Sequence, residues 1–325
     1  MTRTLGRSGI EVSAIGMGCW AIGGPAYRDD TPVGWGEVDD GESARSIQHA
    51  IDNGVTLFDT ADVYGAGHSE RVLGEAVKPV RERVVIATKF GNQFDEQTRK
   101  ITGSSADPEY IRSACDASLG RLQTDYIDLY QLHLGGMELE LVDDVVATLE
   151  ELVAAGKIRS YGWSTDDAER ARAFARGEHC AAAQFQMNVL ADSPDMVSTC
   201  EELDLAGLNR GPLAMGLLSG KYGPESVLPD NDVRGPNAPP WMRFFAEGKP
   251  NQEFLDRLDR IREILTSNHR SLAQGALAWL LARSEKTLPI PGFKTTNQVE
   301  ENAGAMHHGP LSPEQMSEIS QLLNE

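Results

Sequence analysis

The chain has 325 residues, 40% of them hydrophobic, and 49 acidic against 30 basic side chains give a formal net charge of -19. Such a length and apolar content suit one large α/β domain or two ordinary ones, and the negative surface argues against nucleic acid and anionic membranes as partners. No apolar run approaches the ~20 residues that span a bilayer, and the opening MTRTLGRSGIEVSAIG lacks the apolar stretch of a signal peptide, so a soluble cytoplasmic protein is expected.

Taken in chain order, RTLGRSGIEVS reads as a hairpin turning at Ser8-Gly9. AIGMGCW is then a buried strand before a helix near Ser43 to Asp52, and VTLFDT a second strand before a helix near Ser69 to Val77. VVIATKF is followed, after a polar loop, by the helical DPEYIRSACDASLGRL, and YIDLYQLH by LVDDVVATLEELVAAG. The alternation continues with IRSYGWS and DDAERARAFARG, then AAAQFQMN and PDMVSTCEELDLAG. LNRGPL leads through a long loop to SLAQGALAWLLARS, and TLPIPG to NQVEENAGAM. About eight strand-helix units with little alternation in the strands predict a single domain, residues 1–325, folded as a (β/α)8 TIM barrel. An open doubly wound sheet is the competing fold. The opening hairpin is expected to plug the barrel's lower end, and GPESVLPDNDVRGPNAPPWMRFFAEGKP is a long loop on the C-terminal face, where loops usually serve function. Cys19, Cys115, Cys180 and Cys200 lie far apart, with no CxxC pair and no His at metal-ligand spacing, so reduced thiols and no metal are expected.

A barrel keeps its active site at the C-terminal ends of its strands. There the sequence places Asp59 and, in the loop after it, Tyr64; Lys89 ends the third strand and His133 the fourth. Each alone could be a loop cap, a packed rim ring or a satisfied polar group, but four on three neighbouring strands point to one site. Asp128 lies within a strand pattern and reads as a buried carboxylate bonded to backbone; His307 and His308 read as solvated.

The motifs LFDTADVYGAGHSERVLGEAV, IATKFG, YIDLYQLH, GWST, QFQMN, GPLAMGLLSGKY and IPGFKTTNQVEEN, in this order, resemble those of the aldo-keto reductase superfamily, from the opening hairpin to Asn302. The resemblance implies reduction of small carbonyl compounds with NADPH, which becomes NADP+, and a catalytic tetrad of Asp59, Tyr64, Lys89 and His133. Tyr64 would be the proton donor, its pKa lowered by Lys89, with Asp59 holding Lys89 and His133 bonding the carbonyl oxygen. Asp62 would stabilise its loop. Cofactor contacts are implied for Trp20, Ser164, Thr165 and Gln184, and for Pro212, Leu213, Gly216, Leu217, Ser219 and Lys221 along the pyrophosphate. Gly292, Lys294, Thr295, Gln298 and Asn302 would take the adenosine end, with Lys294 and a helix N-terminus at the 2'-phosphate. The chain departs from the family pattern at Gly135 and Gly136, where many relatives carry an acid, and at Thr165, where they carry Asn; Thr165 could instead cap the next helix. Substrate contacts are expected from Cys19, Trp20, Trp241, Phe244 and Phe245, although the loop aromatics could equally be packing the loop down.

Two rivals use the same residues. One is an NADPH-binding regulatory subunit resembling the potassium-channel beta subunits, which usually carry an N-terminal extension. The other is a barrel aldolase with Lys89 as a Schiff-base amine, which would need a depressed Lys pKa. The expected assembly is a monomer or weak homo-oligomer.

Overall fold

The computed structural model describes residues 1–324. Eight parallel strands form one sheet: β1 (Met17–Gly18), β2 (Leu57–Asp59), β3 (Val85–Phe90), β4 (Ile127–Leu132), β5 (Ile158–Ser164), β6 (Cys180–Gln186), β7 (Ala206–Arg210) and β8 (Thr287–Pro289). Each pairs with the next in chain order, and the sheet curls round until Gly18 bridges Gly292. The expected barrel is therefore the observed fold. At the closing seam Gly16 N donates to Pro289 O at 3.0 Å and Gly18 N to Pro291 O at 2.9 Å. Proline has no N–H, so these two residues of the closing segment can only accept. Gly18 suits this close approach, because a Cβ there would lie 2.8 Å from Ile290 O.

The helices are α1 (Asp40–Asp52), α2 (His68–Val77), α3 (Pro108–Leu122), α4 (Val142–Ala154), α5 (Ala168–Phe174), α6 (Pro194–Leu203), α7 (Gln252–Thr266), α8 (Leu272–Arg283), α9 (Thr296–His308) and α10 (Pro313–Asn324). Their starts follow from local chemistry. Asp39, Asp167, Asn251 and Thr295 accept from first-turn amides of α1, α5, α7 and α9, and Ser271 with Gln274 forms a capping box at α8. The α8 sequence LAQGALAWLLAR is apolar on nearly every side because β8 and α9 flank it on one hand and α7 and α10 on the other. Neither α7 nor α10 appears in the strand-helix count; they are an additional outer layer. The polar loop after β3 also has structure, a hairpin of Asn92–Asp95 and Lys100–Ser104 joined by the short Tyr27–Arg28 and Thr31–Pro32 strands.

The opening hairpin pairs Thr2–Thr4 with Glu11–Ser13 through a tight turn ending at Gly9, whose φ is 72°. It plugs the barrel from below, as expected: Leu5 and Val12 join Leu57, Val85, Ala87, Leu129, Ala182, Leu208 and Leu288 in one buried cluster. Residues two places along a strand share a face. Two steps beyond Leu57, Ala87, Leu129 and Ala182 therefore come Asp59, Lys89, Gln131 and Gln184, all buried. The apolar layer supports a polar one. Asp128 lies outside this layer. Its carboxylate accepts from Ile86 N, as expected of a backbone-bonded acid, and also pairs with Arg81 at 2.7 Å and Arg159 at 3.0 Å. His307 and His308 are exposed, and the four cysteines are free and buried.

Candidate active site

The polar layer centres on Lys89. Its Nζ donates to Asp59 Oδ2 at 2.7 Å, to Thr60 O at 2.7 Å and to Tyr64 OH at 3.1 Å, so all three of its hydrogens are placed. The second Asp59 oxygen accepts from Gln184 Nε2 at 2.8 Å and Gln131 Nε2 at 3.2 Å, and Gln131 Oε1 accepts from Gln184 at 3.3 Å. The backbone brings Tyr64 into reach because the chain turns directly after β2: Asp62 N bonds Lys89 O and Gly67 N bonds Asp62 O. His133 is fixed by its backbone N on Phe90 O at 2.7 Å, with its ring 5.9 Å from that of Tyr64 in an edge arrangement. His133 Nδ1 is buried without a partner among the described residues.

Burial pulls the Lys89 ammonium toward neutrality, but Asp59 and Tyr64 outweigh it and leave its pKa above the ordinary lysine value. Burial raises the Tyr64 phenol as well, more than Lys89 lowers it. The expected net depression of Tyr64 is thus reversed, and the phenol is held protonated. Burial, with Lys89 and Arg210 adding to it, keeps His133 well below its ordinary value and so neutral. The site at rest is an ammonium, a phenol and a neutral imidazole side by side. Trp20 is stacked on Tyr64 with centroids 6.0 Å apart, and lies 5.2 Å from Trp35 and 6.2 Å from Trp241.

Residues 14–324 match the model of the aldo/keto reductase family. The chain belongs to the aldo/keto reductase family. It is 34% identical over 308 residues to a probable aldo-keto reductase 1 of Glycine max, covering 93% of this chain and 83% of that one. Among solved structures it resembles a glycerol dehydrogenase of Gluconobacter oxydans, with a TM-score of 0.84 and 28% identity over 99% of this chain and 94% of that one. It also resembles an aldo-keto reductase of Klebsiella pneumoniae in complex with NADPH, with a TM-score of 0.74 and 27% identity over 99% of this chain and 95% of that one.

The reductase's remaining candidate residues divide by placement. Ser164 ends β5 and Thr165 follows it, both buried and beside Gln184, with which Ser164 pairs in the sheet and whose carbonyl oxygen Thr165 N reaches at 2.9 Å. Thr165 does not cap α5; Asp167 does, accepting from Glu169 N and Arg170 N. The Thr165 hydroxyl instead donates to Gly135 O at 2.9 Å and accepts from Asp167 N at 3.2 Å. The two departures from the family pattern therefore touch each other, Thr165 fastening the glycine loop that follows His133. Pro212, Leu213, Gly216, Leu217 and Ser219 form a loop along the rim, with Lys221 exposed beyond it. Within that loop Ala214 and Met215 take left-handed φ of 48° and 56°, costly for residues with a Cβ, and Gly216 continues at 94°. Lys294 Nζ donates to Trp35 O at 2.7 Å. Thr295 caps α9, while Gln298 and Asn302 turn back on their own loop, accepting from Lys294 N at 2.7 Å and donating to Gly292 O at 3.3 Å.

Three substrate candidates lie elsewhere than expected. Cys19 is fully buried, with Sγ on Met17 O and a burial-raised thiol pKa, and Phe244 and Phe245 are each 1% exposed within the loop's own packing. Trp20 remains against Tyr64 with Trp241 beside it, Trp241 52% exposed. Asp62, expected to stabilise its loop, is buried with Oδ1 unpartnered among the described residues, and burial raises its pKa well above its ordinary value.

Three residues near the site escaped the sequence reading. Gln131 completes the Asp59 network, and Arg210 ends β7 in a pair with Asp166. Arg234 bonds Asp232 through two nitrogens, Tyr222 OH at 2.9 Å and Met215 O at 2.9 Å, and lies 4.7 Å over Trp35. It pins the long loop onto the strained turn. Gln131 is the one with a sequence signal, an amide two residues before a candidate histidine in a strand otherwise apolar on that face.

Proposed function

We propose that the protein is an NADP-dependent carbonyl reductase that converts an aldehyde or ketone to an alcohol, with Tyr64 as general acid. The observation that carries this reading is the bond between a buried, charged Lys89 and the protonated phenol of Tyr64. The residues present fit a phosphorylated dinucleotide: the turn at 211–220 is rich in glycine, and α9 begins beside the cation Lys294 with Thr295 as its cap. When bound, NADPH supplies a hydride to the carbonyl carbon. Tyr64 gives its proton to the carbonyl oxygen as negative charge gathers there, and the phenolate left behind is neutralised by Lys89 until a proton is recovered from solvent. Asp59 keeps Lys89 charged, and neutral His133 offers the oxygen a ring N–H without placing a second cation against Lys89. Trp20 and Trp241 give the substrate's body an apolar wall.

The Lys89 ammonium also speaks against a Schiff-base aldolase, whose nucleophile is a free amine. The test is Tyr64→Phe: turnover of an aldehyde falls by at least about a hundredfold while NADPH affinity by fluorescence titration stays within about twofold. Turnover at the parental level removes Tyr64 from the role of acid.

A further inference from the structure

The proposed function seats the cofactor's 2'-phosphate at the N-terminus of α9, and the first amide of that helix is already engaged. Thr296 N donates to Glu42 Oε1 at 3.2 Å, joining α9 to the start of α1. The other oxygen of Glu42 accepts from Arg45 Nη2 at 2.8 Å and Nε at 3.2 Å. Gln298 N is bonded within α9, to Thr295 Oγ1 at 3.4 Å. A helix start offers unpaired amides and a partial positive charge, so a carboxylate placed there is held as an anionic ligand would be. The Glu42 carboxylate is thus held between Arg45 and Thr296 N, on a side chain 30% exposed.

We propose that Glu42 is a cofactor-selectivity residue, its carboxylate standing at α9 where a 2'-phosphate would bind, so that NADPH must displace it and NADH need not. The inference rests on the reading of function above. A 2'-phosphate carries up to two negative charges, and bringing it against Glu42 adds a like-charge contact that the 2'-hydroxyl of NADH does not make. Lys294, the cation on which the phosphate depends, is committed to Trp35 O and is held below its ordinary pKa by burial. Attraction at this seat is therefore opposed by a negative neighbour from another part of the chain, and the preference for NADPH over NADH is narrower than Lys294 alone would make it.

Glu42→Gln keeps an acceptor for Thr296 N and removes the charge. Full-length parent and variant are titrated with NADPH and NADH by fluorescence, and with adenosine 2'-monophosphate and adenosine 5'-monophosphate by calorimetry. The expected result is an affinity gain of about tenfold for NADPH and the 2'-monophosphate, with NADH and the 5'-monophosphate unchanged within about twofold. Asp40→Asn removes the same charge from the same helix, at a side chain that pairs with His68, and should leave the NADPH-to-NADH ratio unaltered. Equal shifts for both dinucleotides, no shift, or the same shift from Asp40→Asn overturns the assignment. If neither dinucleotide binds the parent, the functional reading itself fails and the selectivity proposal falls with it, which no outcome confined to the variants can mimic. Melting of the cofactor-free variants establishes that each is folded.

Discussion

Replacing Asp59 by Asn tests the centre of the polar layer. The side chains keep their shape, and Gln131 and Gln184 can still donate to Asn Oδ1, but an N–H donor now faces Lys89 Nζ across 2.7 Å. The Lys89 side chain has no exposure and that of Asp59 3%, so water cannot replace the lost anion. Leaving a buried charge uncompensated costs about 3–5 kcal/mol. The pH dependence identifies the cause. In the parent, the Lys89 pKa lies above the unfolded value of about 10.4, so its contribution is complete below that value and is lost only as pH climbs through the folded one. In the variant burial acts without its counter-charge and pushes the folded value below the unfolded one. The unfolded chain then binds more protons, and stability rises as pH moves from the folded value toward about 10. Urea unfolding at pH 7 and pH 9.5 should show a parent-variant gap that narrows at the higher pH, and aldehyde turnover at pH 7 should fall by at least about a hundredfold. A gap under about 1 kcal/mol, or one that does not change with pH, would refute an uncompensated ammonium at this position.

Neutral His133 and protonated Tyr64, displaced from their ordinary values in opposite directions, predict a kcat/KM for carbonyl reduction that is flat from about pH 6.5 to 9; an ionisation limb near pH 6.5 would show that His133 titrates in the free enzyme. Thr165→Val removes the hydroxyl bonds to Gly135 O and Asp167 N and should lower cofactor-free stability by about 1–3 kcal/mol with Asp167 still capping α5, measured by denaturant unfolding; an unchanged midpoint would mean that the glycine loop is held by other contacts.

The candidate tetrad was legible because each of its four residues stands at or just past the end of an apolar run, and strand ends are where a barrel exposes chemistry. The two-residue period also carries the polar layer, so Gln131 could have been read by stepping from Leu129 as Lys89 is by stepping from Ala87. What was not legible depends on partners distant in sequence. Nothing near Glu42 announces that α9 will stand against it, and Arg234 finds Trp35 and Met215 only after the long loop has folded over. Phe244 and Phe245 illustrate the same limit from the other side: an aromatic pair in a polar loop reads equally as a rim or as an anchor, and packing against Phe254 and Tyr222 decided for the anchor. α7 escaped because it lies in the long connection before α8, where a charged helix with one apolar stripe can be mistaken for more loop.

The closing seam has a bearing on how the chain behaves before it is finished. An open barrel presents two bare strand edges, and a bare edge invites pairing with another molecule. Here one edge is built of glycines at 16 and 18 and the other of prolines at 289 and 291. Proline offers no donor to a stranger and glycine little side-chain grip, so both edges are poor templates for intermolecular sheets. The opening hairpin adds a restraint, since Arg3 donates to Leu281 O at 2.6 Å and to Thr287 Oγ1 at 2.6 Å and so draws the last strand toward the residues made first. A seam with half its donors missing thus costs some rigidity in the finished barrel and guards the nascent one against aggregation.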